Sequence, residues 1–232
     1  MHYLLMDFGT TSTKSAVVDL DSGTFSHVRS HPSLANCSST PGHYEISPDA
    51  LLDRFNGICA TYYGELGILF AGIVFCSEQN GFVALDEHNR PLTNYVRWKD
   101  ERSTELIDGV SSFDLVTRRL GADFKRISGW RPGAGLPVMN TVHLGRTGKL
   151  HGAARIATLP EWLALCSGDS QNVVHDTVIH CQGMYDVGRR TPSAEIVSVV
   201  EELAGVKCRF NPVAPAHAIS GYWHAADARI PI

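Results

Sequence analysis

Nine residues near the N-terminus, Met6-Asp7-Phe8-Gly9-Thr10-Thr11-Ser12-Thr13-Lys14, restrict the fold more than any other stretch of this 232-residue chain. Apolar runs flank them, Tyr3-Leu4-Leu5-Met6 before and Ala16-Val17-Val18 after. Short apolar runs on either side of a Gly/Ser/Thr turn predict a β-hairpin. Its tip carries the hydroxyls of Thr10, Thr11, Ser12 and Thr13, with Gly9, Lys14 and, at the strand end, Asp7. Backbone N–H groups and hydroxyls in a tight turn cradle phosphate oxygens, and a lysine adds a point charge. A carboxylate beside them is a hard oxygen ligand for magnesium, usually through water. The residues read as a nucleotide-phosphate clamp, the bland alternative being a Thr-rich surface turn.

Two other motifs fail on context. Asp7-Phe8-Gly9 spells the magnesium motif of protein kinases, but the glycine-rich loop, strand lysine and catalytic loop that precede it there have no room before residue 7. Gly9 to Ser15 nearly spells a Walker A loop but lacks its second glycine.

Beyond the hairpin, Asp21-Ser22-Gly23 predicts a second tight turn, and the alternation from Thr24 to Arg29 predicts a third antiparallel strand. A Ser/Pro/Gly-rich loop covers about 30–47, where His43 has no partner at ligand spacing. Ser47 as N-cap and Pro48 at the first helical position start a helix. Its inward stripe is Leu51, Leu52, Phe55, Ile58, Cys59 and Tyr62. Ile68 to Cys76 ends as a buried strand that delivers Ser77-Glu78-Gln79-Asn80-Gly81, and a further strand leaves over Phe82 to Leu85. Polar residues at the C-terminal end of a strand are where open α/β sheets meet ligands; a polar hairpin turn is the alternative. Helical material is expected from Ile107 to Leu120 with a break at Gly121, then over Val138 to Gly145. A strand and a proline-started helix ending at Gly168 are expected over 154–168, and Thr191-Pro192-Ser193-Ala194-Glu195 starts an amphipathic helix that stops at Gly205. His175, Asp176, His180 and Cys181 match no strong zinc spacing, and read as a strand they place the two histidines on opposite faces.

Several of these segments resemble, in order, the motifs of the FGGY carbohydrate kinases, a family that includes xylulokinases, glycerol kinases and gluconate kinases. Asp7 to Lys14 matches their Asp-x-Gly-Thr-Thr-Ser-x-Lys/Arg phosphate motif. Pro41 to Pro48 is similar to Pro-Gly-Trp-x-Glu-x-x-Pro, with Tyr44 where tryptophan is usual. Ser77 to Gly81 sits at the sugar loop, Glu78 standing for the usual glutamine and Gln79-Asn80 for Met-His or Arg-Glu. Trp98-Lys99-Asp100-Glu101-Arg102 resembles Trp-x-Asp-x-Arg, while Asn140 stands where a lysine is frequent. Pro212 to Gly221 resembles the approach to the interdomain hinge.

The resemblance implies an α/β, ribonuclease H-like (actin-like ATPase) fold, a mixed sheet opening with three antiparallel strands and flanked by helices. It implies transfer of the γ-phosphoryl of ATP, with magnesium, to a hydroxyl of a ketose or polyol, a xylulose-like sugar being favoured. Asp7 would orient magnesium and water; Gly9, Thr10, Thr11, Ser12, Thr13 and Lys14 would contact phosphates; Glu78, Gln79, Asn80, Trp98, Asp100 and Arg102 would face the sugar. For Asp100 and Arg102 a salt-bridged helix start is the alternative. Residues 1–232 correspond to the family's N-terminal domain, with about 221–232 approaching the hinge, so the general base and adenosine site are expected in a C-terminal kinase domain. The isolated chain is then expected to bind sugar weakly without turnover. Two alternatives stay open: a non-catalytic sugar-binding or interaction module, and a different actin-like ATPase.

Composition adds exclusions. A net charge of -4 without charge blocks gives no reason to expect nucleic acid or an anionic membrane surface. No apolar run approaches a membrane span. Six scattered cysteines without a C-x-x-C pair suit a reducing cytoplasm. A homodimer is compatible with all of this.

Overall fold

The computed structural model describes residues 1–215 and 217–232. Three strands open the chain as a meander: β1 (His2–Phe8), β2 (Ser12–Asp19) and β3 (Thr24–Pro32). β1 and β2 pair antiparallel with Asp7 opposite Lys14, and the β2–β3 register shifts between Ser15 and Val17. β4 (Glu45–Ile46) precedes α1 (Pro48–Leu66), where the Ser47 side chain accepts from the Ala50 N–H as the N-cap. β5 (Gly72–Ser77) then adds to β1 in parallel, giving the sheet order β3-β2-β1-β5. Alternation along β1 sends Leu4, Met6 and Phe8 toward α1, which buries Leu51, Phe55, Ile58, Cys59 and Tyr62 against them. The predicted inward stripe of α1 is thus the observed one, with Leu52 at its half-buried margin. The outer edge of β5 borders a groove of about 490 Å³ reaching Val174 and Ile232.

A second core lies beyond this sheet. Along it come β6 (Val83–Leu85), β7 (Tyr95–Val96), β8 (Leu106–Ile107), β9 (Val110–Ser111), α2 (Ser112–Ser128), α3 (Pro137–Arg146) and β10 (Arg155–Ala157); β6, β7 and β10 also face the first core, which α4 (Leu159–Cys166) joins through Leu159, Trp162 and Leu163. β7 pairs antiparallel with β4, and β10 with β6, tying the two cores together. The remaining elements are β11 (Val174–His175), α5 (Asp176–His180), β12 (Tyr185–Asp186), β13 (Thr191–Pro192), α6 (Ala194–Ala204), β14 (Val213–Ala214), β15 (Tyr222–His224) and β16 (Arg229–Pro231). No helix among the described residues is long and apolar enough to cross a membrane.

Two expectations need correction. Leu106 to Ser111 forms the β8–β9 hairpin, and helix begins only at Ser112, where Ser111 caps it by accepting from the Asp114 N–H. The expected break at Gly121 is present: its φ of 52° and ψ of −135° are non-helical, a conformation glycine adopts without a Cβ penalty, and a second helical segment of α2 continues from that kink to Ser128. Asp176 to His180 is a helical turn rather than a strand, with the His175 side chain accepting from the Thr177 N–H at its start.

Candidate active site

The two loops that matter share one end of the sheet. In the parallel β1–β5 register, Asp7 lies beside Cys76 and Phe8 beside Ser77. The hydroxyl-rich turn after β1 and the polar turn after β5 therefore leave side by side, and the Glu78 N–H bonds the Phe8 carbonyl at 2.8 Å. Both lie where parallel strands of an α/β sheet end, the usual meeting place for ligands.

In the first turn the Gly9 N–H closes on the Ser12 carbonyl at 3.1 Å. Asp7, Thr11 and Lys14 are exposed, with Asp7 and Lys14 paired across the hairpin on its open face. The Cys76 thiol donates to Asp7 Oδ1 at 3.4 Å. Strand alternation turns Thr13 the other way, and it is buried. Thr10 is committed to protein contacts. Its hydroxyl donates to Glu78 Oε2 and accepts from Trp98 Nε1–H, each at 3.0 Å. Its carbonyl accepts from Arg97 and from the Ser33 hydroxyl, again at 3.0 Å.

Glu78 is likewise held from within. Arg97 grips its carboxylate with two bonds, Nε to Oε1 at 2.8 Å and a terminal nitrogen to Oε2 at 2.6 Å, both side chains under 10% exposed. Asn80 differs. It adopts φ 61°, and its Oδ1 is buried with no hydrogen-bond partner among the described residues. A buried amide oxygen left unpaired is costly unless a ligand or water meets it. Asn80 lines a cavity of about 580 Å³ walled by Tyr44, Trp98, Lys99, Trp130 and Arg131. It also lines a second cavity of about 290 Å³ that contains the exposed Gln79. Trp98 is 42% exposed, with the Lys99 ammonium 5.4 Å over one face of its ring and its N–H fixed on Thr10.

Asp100 and Arg102 lie beneath this cavity rather than on its wall. Arg102 is 1% and Asp100 0% exposed. The guanidinium donates to both Asp100 oxygens at 2.7 Å and to Glu45. Tyr44 N–H completes Asp100 Oδ2 at 2.7 Å, and the Arg102 N–H bonds Oδ1 at 3.1 Å. Asn140 braces the same floor, donating to the Asp100 carbonyl at 3.0 Å and accepting from the Ser103 N–H at 3.1 Å. His43 has a partner after all, Glu105, and that carboxylate also lies 3.6 Å from Nε2 of the buried His143. Ligand atoms of His43, Glu45 and Asp100 come within 4.8 Å of one another. The donor set does not suit a metal, because Arg102 already pairs with both carboxylates, while Asn94 occupies the second Glu45 oxygen and backbone N–H groups complete Asp100. His175 bonds Thr177, whereas His180 bonds the Ser128 carbonyl and stacks on Trp130.

Sequence reasoning missed Arg97, Glu45, Tyr44, Asn140 and Trp130 as site-building residues. Tyr44, Glu45 and Asn140 stood at positions of the resembled motifs without being assigned a role, and Arg97 carried a signal as a charge directly after the buried Tyr95-Val96.

The N-terminal domain profile of the FGGY family of carbohydrate kinases matches residues 2–229. No curated protein matches the chain in sequence. Among solved structures, gluconate kinase from Lactobacillus acidophilus superposes with a TM-score of 0.81 at 17% identity, over 94% of this chain and 43% of that one. Xylulose kinase from Rhodospirillum rubrum gives 0.81 at 21%, over 97% and 45%. Plasmodium falciparum glycerol kinase with ADP gives 0.80 at 16%, over 100% and 47%. The chain spans less than half of each of these structures, and at such identities they establish the fold, an actin-like ATPase architecture. With the profile covering nearly every residue, this chain belongs to the FGGY family of carbohydrate kinases, as their N-terminal domain.

Proposed function

We propose that this chain is the sugar-binding and phosphate-contacting half of an ATP-dependent kinase acting on a hydroxyl of a ketose or polyol, with a xylulose-like sugar favoured. The observation that carries the reading is the parallel β1–β5 register, which sets the Asp7–Lys14 face beside the turn bearing Gln79 and Asn80. Phosphoryl transfer needs that adjacency, because its catalysis is mostly positioning and charge neutralisation. Asp7, Lys14 and the exposed Thr11 are the groups of this turn free to meet phosphate. A single open carboxylate suits a magnesium ion that keeps most of its waters, and the ion, when bound, neutralises phosphoryl charge. Asn80 Oδ1 and the Trp98 face suit a polyol, one as a hydrogen-bond acceptor and the other as an apolar platform for C–H groups. Thr10, Thr13, Glu78, Asp100 and Arg102 then act as supports of these groups rather than ligands. We further propose that the general base and the adenosine pocket belong to a C-terminal kinase domain, and that the outer edge of β5 leaves room for a strand from it. Its place is a reducing cytoplasm, in keeping with six free cysteines.

The test is ADP release by the complete gene product, with ATP, magnesium and a panel of pentuloses, hexuloses and polyols, beside residues 1–232 alone. Turnover by the complete product on one panel member, with weak sugar binding and no turnover by the shorter chain, is expected. Inactivity of the complete product on every member overturns the kinase reading. Robust turnover by residues 1–232 overturns the division of labour.

A further inference from the structure

Between the 580 Å³ cavity and the hydroxyl-rich turn runs one unbroken chain of hydrogen bonds. Trp98 Nε1–H donates to the Thr10 hydroxyl, which donates to Glu78 Oε2, and Arg97 clamps Glu78 and returns to the Thr10 carbonyl. Thr10 is thereby pinned through both its side chain and its backbone. The link is non-local, since Thr10 and Trp98 are 88 residues apart. Its chemistry is also particular: a glutamine at position 78, the usual residue at this point of the resembled motif, offers one amide oxygen, whereas a carboxylate accepts the bidentate grip of Arg97 and the Thr10 proton together. At under 10% exposure the pair is shielded from solvent, so its geometry is strongly held.

We infer that Thr10, Glu78, Arg97 and Trp98 form a positioning relay that makes sugar binding and phosphate binding cooperative. The inference rests on the function proposed above. A sugar packed on the exposed part of Trp98 restricts the indole. Because the indole N–H is held by Thr10, the same contact orders the turn that meets phosphate. The ordering cost is then met once for two ligands, which gives positive coupling without a large conformational change. Linkage makes the effect reciprocal: phosphate tightens sugar by the factor by which sugar tightens phosphate.

Residues 1–232 suffice for the test, because every member of the relay lies in this chain. Chemical-shift titrations would measure the affinity of magnesium tripolyphosphate with and without saturating D-xylulose, and the reverse pair. Wild type is expected to show a coupling factor of about 5, equal in both directions. Thr10→Val, which keeps shape but removes the hydroxyl, and Trp98→Phe, which removes the indole N–H, are each expected to bring the factor to about 1. Both cut the Trp98–Thr10 bond, from its two ends, and Thr10→Val also cuts the Thr10–Glu78 bond, so a folding defect in one variant leaves the other decisive. A merely structural role would lower affinities without changing their ratio. Independent binding of the two ligands to wild type overturns the relay and leaves the kinase reading intact, as does coupling that persists in both variants. Failure of wild type to bind any sugar of the panel removes the reading beneath it, and the relay with it.

Discussion

Arg102→Met is expected to destabilise the domain by about 3–5 kcal/mol, the usual consequence of stripping one partner from a buried ion pair. Met approximates the volume of the arginine stem, so the loss is electrostatic rather than a cavity. Two carboxylates would be left without their cation: Asp100, fully buried, and Glu45, whose side chain is 17% exposed. No solvent screening discounts the figure at Asp100. The remaining donors to its carboxylate are backbone N–H groups, those of Tyr44 and Arg102 itself, which stabilise the charge but do not neutralise it. A fall of the urea midpoint at unchanged slope is the measurement. The double replacement Asp100→Leu with Arg102→Met should cost clearly less than the sum of the singles, because it removes the orphaned charge together with its partner. A single-variant loss below about 1 kcal/mol would mean that water reaches this floor, contrary to its burial.

Gly135→Ala is expected to abolish measurable sugar binding and to lower stability by at least the 1–3 kcal/mol typical of overpacking. A methyl there would sit 1.7 Å from the Trp98 carbonyl oxygen and 2.7 Å from its carbon. Both walls of this contact are backbone, so no rotamer change relieves it. Either the loop before α3 withdraws or the Trp98 segment moves, and each displaces a wall of the 580 Å³ cavity. Gly133→Ala, two residues away on the same cavity, is the control. Its methyl meets nothing nearer than Leu136 at 3.9 Å, so affinity should hold. Sugar titrations and thermal melts of both variants check the pair. Equal behaviour of the two would show that the close approach at Gly135 does not shape the pocket.

What could be read in advance follows the range of the interactions involved. The opening meander, the stripe of α1 and the capped starts of α1, α4 and α6 rest on residues a few positions apart, and each stands where periodicity and capping place it. In α4 even the reciprocal bonds between Thr158 and Glu161 are present. Two-residue strands such as β8 and β9 carry too little pattern to outvote a neighbouring helix. The same holds for α5, whose single turn is fixed by its surroundings. The site shows a sharper limit. Glu78, Asp100 and Arg102 have the chemistry of sugar ligands, yet each is answered by another side chain of the protein. A charge that faces substrate and one that faces another charge are alike in composition; only the partner distinguishes them. Arg97 lies 19 positions from Glu78, and Arg102 lies 57 from Glu45. Asn80 was legible in type, and its lack of a partner emerges only once the fold surrounds it.

The floor of the 580 Å³ cavity also carries a proton balance. His143 is 4% exposed with Nδ1 unpaired among the described residues, and burial pulls its imidazole below the usual histidine range. Glu105 opposes that shift, while Arg102, His43 and Lys149 reinforce it. In the unfolded chain the ring takes up a proton near pH 6.5, and in the fold only at lower pH. Its contribution is therefore intact above about pH 6.5 and is lost as pH falls through the depressed folded value. His31, lowered by its own burial and by Arg54 and Arg29, adds to the same window. Stability followed from pH 7.5 to 5 should decline before the carboxylates titrate, with a shallower slope in His143→Gln; an unaltered slope in that variant would mean that the ring takes up its proton as readily in the fold as in the unfolded chain. Mild acid is thus expected to loosen the packing beneath the 580 Å³ cavity through His143 and the β3 side of the sheet through His31.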